Sequence, residues 1–296
     1  MRTILGLVAI GALMTSCAHD PSQDSNVAAI PATPEMATAR PIPSNPPETA
    51  PGPVDAATAR AAWKDGVARF DNGDYAGAVA QLKVAVAGEP NDAYRVYLLG
   101  LAQWKSHDLP GAENSLTESV RLDSTRLKTW INLARVRNER NDRNGALEAS
   151  EKALDLLPTS AEALHQKGRA LLELNRHDEA QGALKTAHTL DPGNGYIANT
   201  LGLLLIQSGR PADAIEPLEA AKQLLPNVAY VRNNLGVAYE RNGMIVEAKV
   251  EYAAAVEAGD MGGKAMKSLV RLGAKDTTDP SAVAVAAAAV PPAESK

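Results

Sequence analysis

One period governs most of this 296-residue chain. Gly66, Gly100, Ala134, Gly168, Gly202 and Gly236 stand 34 residues apart, with no insertion between any two. Twelve residues further on lies a column of alanines without exception: Ala78, Ala112, Ala146, Ala180, Ala214 and Ala248. A third column is Ala85, Ser119, Ala153, Ala187, Ala221 and Ala255; a fourth is Leu82, Leu116, Ser150, Leu184, Leu218 and Tyr252. A fifth reads Pro90, Ser124, Pro158, Pro192, Pro226 and Asp260. A strict period of this length marks a stack of supersecondary units, none of which can bury its apolar face alone.

The residue types say which unit it is. Aromatics are 4% of the chain, with Phe70 the single Phe, which argues against a β-sandwich. Alanine has the best intrinsic helix propensity. Two antiparallel helices approach to about 8–10 Å only where the contact residues are small. The Gly/Ala column on a first helix is therefore expected to face the Ala column on the second, with the Leu column packing between neighbouring repeats. Asn72-Gly73 and Asn242-Gly243 supply left-handed turn conformations between helices. Asp74, Asp108 and Asp142 stand where the second helix needs an N-cap. A proline closes most repeats because the residue before it avoids helical geometry. Pro211 suits a first turn, whereas Pro217, inside the second helix of repeat five, is expected to bend that helix or delay its start.

On these columns the chain resembles the tetratricopeptide repeat (TPR) family, with Trp130 and Tyr239 at that family's Trp and Tyr positions. The resemblance implies an all-α fold: a TPR solenoid of six helix-turn-helix repeats over residues 59–262. A capping helix is expected over 263–273, with Met266, Leu269 and Val270 on one side to cover the last apolar face. The Ala/Pro tail, 274–296, is expected to be disordered.

The first residues read as an export signal. Met1 and Arg2 are followed by an apolar run from Ile4 to Met14, too short to span a bilayer. Thr15, Ser16 and Cys17 then resemble the lipobox of bacterial lipoproteins, with Met14 where Leu is usual. That resemblance implies a signal peptide over 1–16, removed before Cys17, and acylation of Cys17, the only cysteine in the chain. Ala18, in place of Asp, implies the outer membrane by the same resemblance. Residues 17–58 hold nine of the chain's 19 prolines and few apolar residues, and read as a disordered tether reaching about 100 Å at full stretch.

In the TPR family the first helix of each repeat lines the concave side. The inward positions here carry Tyr94, Tyr97, Leu101 and Trp104, then Lys128, Asn132, Arg135 and Asn138. They continue with His165, Gln166 and Arg169, then Tyr196, Asn199 and Leu203, then Tyr230, Asn233 and Asn234. The middle is polar with two arginines and both ends are aromatic. Amides suit a peptide backbone, guanidiniums suit carboxylates, and Tyr and Trp are common anchors. The partner expected is a segment of another protein. Lys128 and Asn132 match two positions of the clamp with which some TPR proteins hold chaperone tails, but the full order is absent and that partner class is set aside.

Catalysis is not expected, nor a cofactor, metal or nucleic acid. The net charge is −5, and a single cysteine builds neither a disulfide nor a thiolate cluster. His107 and His177 fall in inter-helix turns, while His165 and His188 lie on different helices without metal-ligand spacing and read as solvated or satisfied. Lipobox, Pro-rich linker and about six TPRs together resemble the outer-membrane lipoproteins that assist pilus and secretion machines, including pilotins and the tight-adherence (Flp) pilus lipoproteins. In those proteins the groove engages a secretin. The alternatives are an adaptor for peptidoglycan hydrolases and proteases, or a scaffold for exopolysaccharide export.

Overall fold

The computed structural model of the chain describes residues 54–260 and 263–273, and the leader, Cys17, most of the tether and the tail lie outside them. Among the described residues every regular element is a helix. Six hairpins follow one another: α1 (Ala56–Asp71) with α2 (Tyr75–Gly88), α3 (Ala93–Lys105) with α4 (Leu109–Leu122), and α5 (Leu127–Glu139) with α6 (Arg143–Leu156). Then come α7 (Ala161–Glu173) with α8 (His177–Leu190), α9 (Gly195–Gln207) with α10 (Pro211–Leu224), and α11 (Ala229–Arg241) with α12 (Ile245–Glu257). A last helix, α13 (Lys264–Arg271), packs on α12.

Successive first helices (α3, α5, α7, α9, α11) touch one another, and no comparable contact joins successive second helices. The solenoid therefore curves with its first helices inside. Helix ends follow from local chemistry. Asp74, Asp108 and Asp142 each accept the backbone N–H three residues on, at 2.9, 2.9 and 3.0 Å. Asp55 caps α1 in the same way, so that helix starts at Ala56, three residues before the repeat boundary expected at 59. Between the two helices of each hairpin one residue takes positive φ: Gly73, His107, Asn141, Asn175, Gly209 and Gly243. Three of these are not glycine, and all six share the repeat spacing. His177 is the first residue of α8 rather than a turn residue.

The small-residue columns work differently from expectation. The Gly column meets the Leu column of its own hairpin, not the Ala column. A Cβ on Gly66, Gly100, Gly168 or Gly202 would lie 2.9, 2.8, 2.5 or 2.4 Å from the leucine beside it, and one on Gly236 would lie 2.7 Å from Tyr252. Side chains of Leu and Tyr can fill the crossing only because the facing residue has none. The third hairpin inverts the pair: Ala134 stands in the Gly column and Ser150 in the Leu column, both fully buried, and the Ser150 hydroxyl donates to the Leu147 carbonyl at 2.7 Å. Where the first-helix residue gains a methyl, the facing residue of the second helix shrinks from Leu to Ser.

The core is a chain of such crossings joined by the next repeat's first helix. Leu184 and Leu218 share one cluster with Leu201, Leu204 and Leu235, and Leu116 shares another with Leu133 and Val136. Pro217 is buried inside α10, which nevertheless runs unbroken from Pro211, so its start is not delayed. α13 closes the stack with Ala265 and Leu269, which join Tyr252 and Ala255. Val270, expected on that same side, is 63% exposed: positions i, i+4 and i+7 from Ala265 face the stack, and Val270 lies a quarter-turn beyond Leu269. The Arg271 guanidinium ties α13 to α11 through both oxygens of Glu240, at 2.6 and 2.7 Å.

Candidate functional site

The inner helices α3, α5, α7, α9 and α11 bound a groove of about 990 Å³. Trp104, Arg135, Asn138, Gln166 and Arg169 line it, as do Tyr196, Asn199, Tyr230 and Asn234. These nine were expected on the inner face from their position in the repeat. Tyr94, Tyr97, Lys128, Asn132 and Asn233 do not line it. Tyr94 belongs to an aromatic group at the N-terminal end, with Trp63 at 5.8 Å, Tyr97 at 6.0 Å and the Arg126 guanidinium at 5.1 Å. Lys128 Nζ pairs with Glu162 at 2.7 Å. Asn132 sits behind the groove, donating to the Tyr97 hydroxyl at 3.1 Å and accepting from Arg135 at 2.8 Å. Asn233 is half-buried, and its Oδ1 has no partner.

The polar side chains here bind each other across repeats. A bond from residue i to i+35 recurs at Tyr97 with Asn132, Trp104 with Glu139, His165 with Thr200, and Asn199 with Asn234. The period is one repeat plus one residue, which shifts the partner by a helical step toward the neighbour. Asn138 Nδ2 adds a shorter link to the Gln166 carbonyl and side chain at 3.1 and 3.2 Å. The amides are thus joints between repeats, with unused capacity left over. Asn234 donates to Asn199 Oδ1, which leaves the Asn199 amide N–H pair and the Asn234 oxygen to other partners.

His165 is buried at 9% exposure. The Thr200 hydroxyl gives its single proton to the Tyr196 carbonyl at 2.8 Å, so it accepts from His165 Nε2–H at 2.9 Å. Burial, and then the charges of Arg169 and Arg135, push the His165 pKa down to about 3, and the ring is neutral. Burial also pulls Arg169 below its usual value and raises Tyr230, with Tyr196 adding to the latter. The two guanidiniums bond only to amide oxygens nearby: Arg135 to Asn132, and Arg169 to Gln166 at 3.3 Å. Arg135 also lies over the Trp104 ring at 5.1 Å.

Residues outside the expected set complete the lining. Lys105, Glu139 and Glu173 occupy one column, again 34 residues apart, and that spacing was the readable signal. Glu162 stands in the same 34-residue column as Tyr94, Lys128, Tyr196 and Tyr230, and Thr200 in that of Asn132, Gln166 and Asn234, so the repeat spacing marked both as well. Among the described residues no group of three or more His, Cys, Asp or Glu side chains could hold a metal ion, and no helix is long and apolar enough to cross a membrane.

Helical hairpins of 34 residues, small-to-large crossings and a groove on the inner helices give the chain the fold of a TPR solenoid. The family model described as tetratricopeptide repeat matches residues 165–229 and 199–264. Solved structures agree on the fold. The chain is similar to PilF of Pseudomonas aeruginosa at 24% identity and a TM-score of 0.55, over 66% of this chain and 87% of that one. It is similar to TTC0263, a thermophilic TPR protein of Thermus thermophilus, at 19% identity and 0.53, over 61% and 98%. It also matches MamA (residue 41 to the end) from Desulfovibrio magneticus RS-1 at 20% and 0.52, over 56% and 94%. No curated protein matches the chain.

Proposed function

We propose that this chain is a lipid-anchored scaffold of the bacterial outer membrane that holds a segment of a partner protein in its groove and positions it during assembly of a pilus or secretion machine, in the manner of a pilotin acting on a secretin. The observation that carries it is the groove itself. It runs along five consecutive inner helices, is walled by Trp104 at one side and by Tyr196 and Tyr230 at the other, and keeps amide and guanidinium groups with spare hydrogen-bonding capacity. No bond is made or broken in this role; its output is position. Cys17 is the point of acylation, and two or three acyl chains, each stabilised by about 0.8 kcal/mol per buried methylene, hold the chain to the membrane.

Two experiments test the two halves. A photo-crosslinking residue at Asn199, in cells, is expected to capture one dominant protein, and the same residue at Glu118 on the outer surface is not; equal capture from both sites would refute the groove as the docking face. Cys17→Ala is expected to leave the protein out of the membrane fraction, and sedimentation with membranes regardless would remove the anchor. Loss of secretin multimers on deletion is the outcome expected of the assembly role, whereas intact multimers with altered cell shape would point to the hydrolase adaptor instead.

A further inference from the structure

We propose that the centre of the groove is an anion site that selects a partner segment carrying an acidic side chain between apolar residues, with Arg135 and Arg169 as its two cations. The proposal deepens the docking role above and rests on it.

The charge pairing of the lining points there. Three carboxylates line the groove, and each is engaged with a group other than these arginines. Glu139 accepts from Trp104 Nε1 at 2.9 Å, Glu162 pairs with Lys128 at 2.7 Å, and Glu173 faces Arg143 Nη2 at 3.6 Å. Among the described residues, nearly every other arginine close to an acid has taken it as an ion-pair partner, as Arg69, Arg95, Arg137 and Arg232 have. Arg135 and Arg169 have not, although they sit on successive inner helices in a chain of net charge −5. Burial holds Arg169 below its usual pKa even with Glu139 and Glu173 in its surroundings, the sign of a cation without a bonded counter-charge.

Their neighbours complete the geometry. Trp104 fixes one guanidinium from beneath at 5.1 Å and the Gln166 oxygen fixes the other at 3.3 Å, so both forks are pre-set. His165, near enough to both to feel their charges, is neutral and adds no competing charge. A carboxylate seated here trades its water for charge-assisted bonds to two planar donors. The exposed faces of Tyr196 and Tyr230, 51% and 49% accessible, offer apolar contact to a flanking residue, and the half-buried Trp104, whose ring also carries the Lys105 ammonium at 4.5 Å, lines the other side.

The test uses the full chain and fluorescein-labelled nine-residue peptides with acetylated and amidated ends, carrying Asp, Asn or Lys at the centre between Leu, Val and Pro. Anisotropy titrations are expected to give at least about tenfold tighter binding for the Asp peptide than for the Asn peptide, and weaker binding still for Lys. Arg135→Gln and Arg169→Gln should each abolish that preference, with helicity and melting temperature checked, and Arg169→Lys should retain part of it. Arg121→Gln, the same loss of charge on the outer helix α4, should leave the preference intact, which separates a site from a general field. Equal affinity for the Asp and Asn peptides, or loss of preference with Arg121→Gln as well, overturns the anion site. Where Asp and Asn peptides bind alike and both are displaced by Asn199→Trp, which fills the groove, the anion site fails and the groove stands. Binding indifferent to Asn199→Trp removes both.

Discussion

The exchange of sizes across the hairpin crossing can be tested by a double-mutant cycle. In Gly168→Ala the new methyl would lie 2.5 Å from Leu184 Cγ and 2.6 Å from Leu184 Cδ2. Van der Waals contact needs about 3.5–4.0 Å, so the helices must part or the leucine must leave its rotamer. Overpacking of this kind costs about 1–3 kcal/mol. Alanine recovers about 1 kcal/mol through its helix propensity. The net is a loss of about 0–2 kcal/mol, or a fall in melting temperature of roughly 2–4 °C per kcal/mol. With Leu184→Ser already present the methyl enters vacated space and only the propensity gain remains, so Gly168→Ala becomes stabilising by about 1 kcal/mol. The coupling between the two sites is therefore about 1–3 kcal/mol. The third hairpin supplies the mirror experiment: Ser150→Leu should destabilise beside Ala134 and be relieved by Ala134→Gly. Urea unfolding followed by circular dichroism measures all four corners of each cycle. If Gly168→Ala costs the same in both backgrounds, within about 0.5 kcal/mol, the two columns do not share a crossing and the packing logic is wrong.

Other outcomes follow from the same structure. Ala146→Trp places an indole at a fully buried position of the alanine column and should destabilise by about 1–3 kcal/mol from overpacking; an unchanged melting temperature would refute the assigned register. The Arg271 guanidinium holds Glu240 below its usual value of 4.5, so the unfolded chain takes up that proton first as pH falls. The stabilisation is complete above the unfolded value and is lost as pH drops through the lower folded one. Glu240→Gln should therefore cost about 1 kcal/mol at neutral pH, modest because Arg271 is half exposed, and the difference from the native chain should vanish in acid. His165, with a folded pKa of about 3 against 6.5 unfolded, should show no ring titration in NMR from about pH 8 to about pH 4. Acidification through that window costs stability because only the unfolded ring is protonated, and His165→Gln should flatten the slope.

What the sequence made legible was whatever repeats. The period exposed every hairpin, and Asp74, Asp108 and Asp142 announced their helices because an N-cap is a local, one-residue device. The inner face could be read from phase, which placed Arg135, Arg169 and Asn199 together. Pairing was not legible. Columns reveal that Gly66 and Leu82 are both constrained, but only three-dimensional register shows that they face each other. The same holds for Lys128, which reads as a groove cation until Glu162 is seen to neutralise it, and for Val270, turned outward by a quarter-turn. Side chains with several candidate partners are settled by tertiary distance, and a sequence does not carry that.

The bonds that run from one repeat to the next along the inner face have a mechanical meaning. Because Asn138, Gln166, Asn199 and Asn234 both stitch adjacent hairpins and border the groove, a guest that bonds to their remaining donors and acceptors pulls on the same side chains that hold the stitches. Occupancy and superhelical pitch are thereby geared: a filled groove should wind the coil differently from an empty one, and stretching the coil should loosen its hold on whatever it carries.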